Sequence, residues 1–281
     1  MDDQQFRQLL DHYGYSWEGY RRVRKGVKKR ISRHMQELEC RSLEEYLNCL
    51  DGDWGLQRQL ISMMSVSVSR FFRDRALWKI MEEHIVTEIA KEHREKVRFL
   101  SVGCACGEEV YSFRIVWDIV HARLGCTPEL EVLATDINPS YLDRAQNGIY
   151  SLSSLKEVPR ELRDKFFTYF SEDGVYRIAP SIKEGVTWKV HDVMKEPFEG
   201  DFQIILLRNG ILTYYSNELK RSAFRTVVDS LAYGGYLIIG SHERLPIESR
   251  ELICFGGQSY IFKKIKGKAR QYRLSIGSAK K

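Results

Sequence analysis

Three apolar runs in this sequence end in residues that apolar surroundings disfavour: 97–103 runs into Gly103-Cys-Ala-Cys-Gly107-Glu108-Glu109, 130–137 closes on Thr135-Asp136-Ile137, and IILL leads into Arg208-Asn209. A glycine-flanked loop that opens a helix leaves backbone amides free to hold an anionic group. This loop lacks the G-x-G-x-x-G spacing that lets a dinucleotide pyrophosphate approach the backbone. Glu108 and Glu109 would repel a phosphate, while either could pair with an ammonium group, so a phosphate-free nucleoside is the better fit. Their alternative role is to favour the helix macrodipole from its first turn. Asp136 can accept both ribose hydroxyls of such a ligand, or serve as a turn or cap residue. Arg208 ends a buried run and needs a partner, because an unpaired buried charge is costly. A salt bridge to a neighbouring loop is its simplest explanation. Ser69-Arg-Phe-Phe-Arg73-Asp74 combines aromatic and ionic groups, and by itself reads as packing with a surface ion pair.

Such residues act together only if their strands lie side by side, with ligands held beyond the carboxyl ends. From Val97 onward, apolar strands alternate with helical segments, the signature of a parallel sheet. Strands are expected over 97–103, 130–137, 201–209 and 234–241, and helices over 108–121, 139–147 and 217–231. A closing pair of strands follows at 252–257 and 258–264, joined by a glycine-containing turn. Before Val97 the apolar spacing is helical. Tyr20, Val23, Val27 and Ile31 share one face of an expected helix whose opposite face is basic. Further helices are expected after Ser42, which forms a capping box with Glu45, and over 56–64 and 76–89. The mixed segment 175–190 is where a partner-docking insert is expected.

The chain has 281 residues, 43% hydrophobic and 29% charged, as expected of a globular protein of two domains. The division reads as a helical domain with basic helix and linker over 1–75, a catalytic domain over 76–265 with a small β insert near 170–190, and a loose basic tail over 266–281. Net charge is +6, with Arg21, Arg22, Arg24, Lys25, Lys28, Lys29, Arg30 and Arg33 crowded together, which implies an acidic partner. No run approaches the roughly 20 apolar residues of a membrane helix, and the start MDDQQFRQLL is unlike a signal peptide. A cytoplasmic protein without membrane insertion is expected. The six cysteines read as reduced thiols, and their spacing predicts no metal site. Nucleic-acid binding is disfavoured, because no aromatic platform for bases accompanies the basic cluster.

In order, Ser69-RFFRD, Gly103-CACGEEVYS, Ala134-TDI, Leu142-DRAQNGIY, Arg208-NGILTYY and Gly234-GYLIIGSHE resemble the chemotaxis receptor methyltransferases, the CheR family. The likeness runs over about residues 6–264. It implies an α/β fold: a Rossmann-like class I methyltransferase sheet, mostly parallel with an antiparallel closing strand, behind a small all-helical N-terminal domain. It also implies S-adenosylmethionine as cofactor and S-adenosylhomocysteine as product. By position, Ser67, Ser69 and Arg73 resemble linker residues that close over the cofactor. Gly103 belongs to the glycine loop, Glu108 or Glu109 resembles the acid near the amino acid portion, and Asp136 resembles the ribose ligand. Asp192 and Val193 fall where the family contacts adenine, and Arg208 and Asn209 match its Arg-Asn pair near the methyl donor. The implied reaction is methyl esterification of glutamates on the acidic, helical cytoplasmic part of a chemoreceptor, by a monomer.

That reaction asks mainly for positioning and water exclusion, since a carboxylate is already a nucleophile and a sulfonium already activated. Arg73 and Arg208 are the candidates to orient the acceptor carboxylate. The chain departs from the family pattern at Ser67 for Asn, Ser69 for Thr and Val110 for Pro. It also carries Thr213 where the family has tyrosine, with Tyr214 one residue later as the substitute catalytic candidate. These departures keep two alternatives open: a related methyltransferase with a different acceptor, and a non-catalytic module that binds cofactor and partner.

Overall fold

The computed structural model describes residues 1–66 and 69–267. Ser67 and residues 268–281 of the expected tail lie outside the described residues.

The N-terminal region is helical: α1 (Asp3–His12), α2 (Trp17–Tyr20), α3 (Arg24–Glu37), α4 (Leu43–Gly52) and α5 (Trp54–Met64). Asp2 begins α1 with a capping box shared with Gln5, while Ser16, Ser42 and Asp53 cap α2, α4 and α5 through their side-chain oxygens. Phe6, Leu9, Tyr20, Ile31, Tyr46 and Leu50 are among the side chains that build a core between these helices, with Tyr214 packed against it. The single helix expected through Tyr20–Ile31 is broken by a turn at residues 21–23. Periodicity carries across the break because Tyr20, Val27 and Ile31 are buried in either arrangement. Part of the basic cluster is consumed by the fold. Arg30 caps the end of α5 by donating to the Met63 carbonyl, and Lys28 and Arg24 pair with Asp3.

After the linker come α6 (Arg75–Ile80), a π-helical turn Met81–Ile85, and α7 (Val86–Glu92). The α/β part then runs β1 (Lys96–Val102), α8 (Glu108–Leu124), β2 (Glu129–Asp136), α9 (Pro139–Asn147), β3 (Ile149–Ser151), α10 (Arg160–Phe166), β4 (Phe167–Phe170) and β5 (Val175–Ile178). It continues with α11 (Pro180–Lys183), β6 (Val186–Val190), β7 (Phe202–Leu207), α12 (Ile211–Tyr214), α13 (Asn217–Asp229), β8 (Leu231–Ile239), β9 (Leu252–Cys254) and β10 (Ile261–Lys264). The main sheet has the order β6-β2-β1-β7-β8-β10-β9. Strands β6 to β8 in that order pair in parallel, and the closing β10 and β9 are antiparallel. The fold is therefore the expected Rossmann-like α/β sheet behind a helical N-terminal region. One apolar cluster fills each face: Phe99, Phe113 and Val116 on one, Leu100, Phe202 and Phe224 on the other.

The segment 175–190 is divided between two sheets. Residues 175–178 form β5, the middle strand of a small antiparallel sheet β3-β5-β4. Residues 186–190 form β6, the parallel edge of the main sheet. The reversal of strand order falls between the parallel neighbours β1 and β7, where doubly wound sheets open a crevice.

Candidate active site

Register brings the strand ends together. Val102 pairs with Thr135, Asp136 with Val190, and Ser101 with both Ala134 and Leu206. Gly103, Asp136, Asp192 and Arg208 thus leave neighbouring strands at about the same height, and all four line a cleft of about 880 Å³. Its far wall belongs to the helical region, with Tyr15, Tyr20, Arg22 and Met64 on the lining.

Gly103 has φ +75°, a left-handed conformation that suits glycine, and a Cβ built on it meets no atom within 4 Å. The bare backbone there faces open space. Gly107 is different: with φ +86°, its added Cβ would lie 2.8 Å from Trp188 and 2.9 Å from Ala145, so its role is helix–strand packing. Between them Ala105, at φ +49°, donates its N–H to Asp136 Oδ2 at 2.9 Å. Asp136 Oδ1 accepts from Asn138 N at 2.9 Å. The turn role of Asp136 and its place on the cleft are therefore both real. Each oxygen has given up one acceptor site, and a carboxylate offers about four. Burial raises the Asp136 pKa, opposed by the amide donors of Asn138, Ala105 and Ile137.

The paired acids diverge. Glu109 lines the cleft, accepting from Ser101 Oγ at 2.8 Å and from Arg208 Nη1 at 3.3 Å. Glu108 turns to the linker, where its carboxylate is hydrogen-bonded by Ser69, and it is not among the cleft-lining residues. Burial raises the pKa of both.

Arg208 is buried, and the salt-bridge reading describes its surroundings: Nη2 donates to Asp74 Oδ2 at 2.6 Å and to the Arg73 carbonyl at 3.4 Å, and Nη1 meets Glu109. This clamp holds a linker in which Phe72 (φ +52°) and Asp74 (φ +66°) are both left-handed. With Ala105 and Asn209 (φ +55°), such residues gather around the cleft, as at sites where surrounding contacts hold the backbone in place. Ser69 and Arg73 line the cleft beside them.

Asp192 caps the turn after β6, accepting from Met194 N at 3.0 Å, and lies 3.6 Å from Lys195. Val193 is buried behind it. Thr213 turns its hydroxyl to Glu243, at 2.5 Å. The Tyr214 ring packs 4.9 Å from that of Tyr20, and its phenol pKa is raised by burial, with Arg73 opposing. Around these rings the helical region is tied to the loop by main chain: Ser16 N donates to Tyr214 O at 2.7 Å and Ser216 N to Gly14 O at 2.8 Å, flanking the Tyr15–Tyr215 bridge. A side chain on Gly19 would collide with the Thr213 carbonyl.

Sequence reasoning passed over two residues of this wall. Glu243 sits in the GSHE turn of the Gly234-GYLIIGSHE stretch, and His191 directly precedes Asp192. His191 is buried, stacks 4.3 Å from Phe198, and has a lowered pKa through burial. A polar residue directly beyond β6 was the available signal for His191, whereas Glu243, four positions beyond β8, carried none.

Comparison with known proteins identifies the family. The family described as "CheR methyltransferase, SAM binding domain" matches residues 67–261. A protein named chemotaxis protein methyltransferase from Listeria innocua is 31% identical over 78% of this chain and 81% of its own length. A protein of the same name from Listeria monocytogenes is also 31% identical, over 78% of this chain and 81% of its own. The solved N-methyltransferase NodS from Bradyrhizobium japonicum, with S-adenosyl-l-homocysteine, is 15% identical, covers 62% of this chain and 63% of its own, and superposes with a TM-score of 0.34. That overlap is too loose to place any residue.

Proposed function

This chain belongs to the CheR methyltransferase family and is an S-adenosylmethionine-dependent methyltransferase, and from that premise we propose that it forms glutamate methyl esters on an acidic, helical, chemoreceptor-like acceptor in the cytoplasm. Among the described residues, no helix is long and apolar enough to cross a membrane.

The observation that carries this reading is the convergence of Gly103, Asp136 and Asn209 on one cleft beneath a partly basic helical lobe. The residues suit the cofactor. The open space over Gly103 admits a ligand against bare backbone, Asp136 keeps lone pairs for ribose hydroxyls, and Glu109 suits an ammonium. Asp192 and Val193 would edge the adenine, and Ser69 and Arg73 would close the linker side. When bound, S-adenosylmethionine supplies an activated methyl group. An acceptor carboxylate oxygen forms the new O–CH3 bond as the S–CH3 bond breaks, the electron pair stays on sulfur, and no proton moves.

The protein's task is therefore orientation and water exclusion. Arg73 lines the cleft and is the candidate to orient the acceptor carboxylate, while Arg208 is held by Asp74 and Glu109. Arg208 acts by holding Glu109 and the linker. Tyr214 contributes a neutral phenol to the acceptor side, and Arg22 at the rim attracts acidic chain. The test is transfer of radiolabelled methyl from S-adenosylmethionine to chemoreceptor cytoplasmic fragments. Label released by mild base is the expected result; absence of transfer to any carboxylate overturns the reading. A second reading, a different acceptor, is favoured by Thr213 standing at the family's tyrosine position, and label that survives alkali would select it.

A further inference from the structure

Glu243 follows the end of β8 and lines the cleft with only 9% of its surface exposed. Its carboxylate joins three separate pieces of chain. Oε2 accepts Asn209 N–H at 2.9 Å and Gly240 N–H at 2.8 Å, while Oε1 accepts the Thr213 hydroxyl at 2.5 Å. One side chain thereby ties the tip of β7, the first turn after it and the tip of β8.

Two further facts give this clamp a direction. Asn209 is left-handed at φ +55°, a conformation that asparagine tolerates, and the Glu243 carboxylate fixes its N–H in that turn. A Cβ on Gly240 would lie 2.7 Å from Asn209 Oδ1 and 2.7 Å from Glu243 Oε2, so the Asn209 carboxamide rests over bare backbone at the end of β8. The third arm, Thr213, is this chain's own departure from the family pattern.

We infer that Glu243 is a positioning residue for methyl transfer: it sets the Asn209 carboxamide for the cofactor and Thr213 for the acceptor, touching neither ligand itself. The inference rests on the reading of Asn209 as a cofactor contact. It divides the two effects. The Oε2 arm governs cofactor affinity through the backbone of Asn209, and the Oε1 arm governs the acceptor side through Thr213. A glutamine would keep the first arm, since one amide oxygen can accept both N–H groups, and could reverse the second by donating to the Thr213 hydroxyl.

The experiment is calorimetric titration of the full chain with S-adenosylhomocysteine, with methyl-transfer kinetics on the same preparations. Glu243→Ala is expected to raise Kd about tenfold or more, because two N–H groups lose their acceptor. Glu243→Gln should stay within about threefold of wild type. Gly240→Ala should reproduce the alanine effect from the opposite side of the carboxamide. Thr213→Val should leave Kd within about twofold while lowering kcat/KM for the acceptor. No uptake by the wild type overturns the cofactor reading and the inference together. Uptake by the wild type with an unchanged Kd for Glu243→Ala overturns the inference alone, as does a Glu243→Gln that fails as badly as alanine. If Glu243→Ala does not fold, wild-type behaviour of both Gly240→Ala and Thr213→Val overturns it.

Discussion

Arg208 donates to Asp74 at 2.6 Å, joining the tip of β7 to the linker that precedes α6. The pair is made between a buried guanidinium and a partly exposed carboxylate, with Glu109 on the guanidinium's other side. A cation so placed is a structural keystone first.

Arg208→Ala should therefore cost about 3 kcal/mol in urea unfolding, because the buried Glu109 would lose its guanidinium partner and keep the Ser101 hydroxyl as its donor. Arg208→Lys, which cannot bridge both acids with one planar fork, should recover only part of that. Unchanged stability in the alanine variant would instead mean that the guanidinium is available to an acceptor.

Arg73→Ala should lower kcat about 100-fold, corresponding to about 2.7 kcal/mol of transition-state stabilisation, with urea unfolding of the same variant separating that loss from any change in the fold. Tyr214→Phe keeps the ring against Tyr20 and tests the phenol separately. A kcat equal to wild type would remove the hydroxyl from the chemistry.

The two glycines of the β1–α8 loop should separate binding from folding. Gly107→Ala should cost about 2 kcal/mol or more, through left-handed strain and the clash with Trp188 and Ala145. Gly103→Ala should cost only about 1 kcal/mol of strain, yet its methyl group enters the cleft and should weaken S-adenosylhomocysteine binding about tenfold or more. Thermal melts and calorimetry on both variants check the contrast.

Cofactor binding should weaken in acid earlier than an ordinary aspartate would dictate. Burial raises the Asp136 pKa above its usual 3.8, and only the ionised group accepts both ribose hydroxyls. Affinity is thus full above the raised pKa and lost as pH falls through it. The contribution of this group to fold stability has the opposite sign: it is present below the unfolded pKa and is lost as pH rises through the folded one. Titrations between about pH 4 and pH 8 should show this acid limb, and Asp136→Asn should flatten it at weaker affinity. The same limb in both proteins would assign it to another group.

The sheet was readable because β1, β2, β7 and β8 are largely buried, so their apolar runs stand out. β6 was not recognised as part of it, since an edge strand exposes Thr187, Lys189 and Val190 among its five residues. Asp136 and Asn209 were legible from their places at strand ends. Glu243 was quoted but given no function, because two of its partners are backbone amides, and one of those lies 34 residues away. Nothing in residue type marks such a pairing. The turn between α2 and α3 was hidden because burial of Tyr20 and Val27 satisfies one helix or two equally well.

The hydrogen bonds that seat the helical region on the Tyr214–Ser216 segment run between peptide groups. Apart from Gly14 and Gly19, whose missing side chains admit Leu219 and the Thr213 carbonyl, almost any residue could supply them. Substitutions among the exposed arginines and lysines of the lobe would thus alter its surface charge while leaving these peptide bonds, and the seating of the wall that they fix, in place.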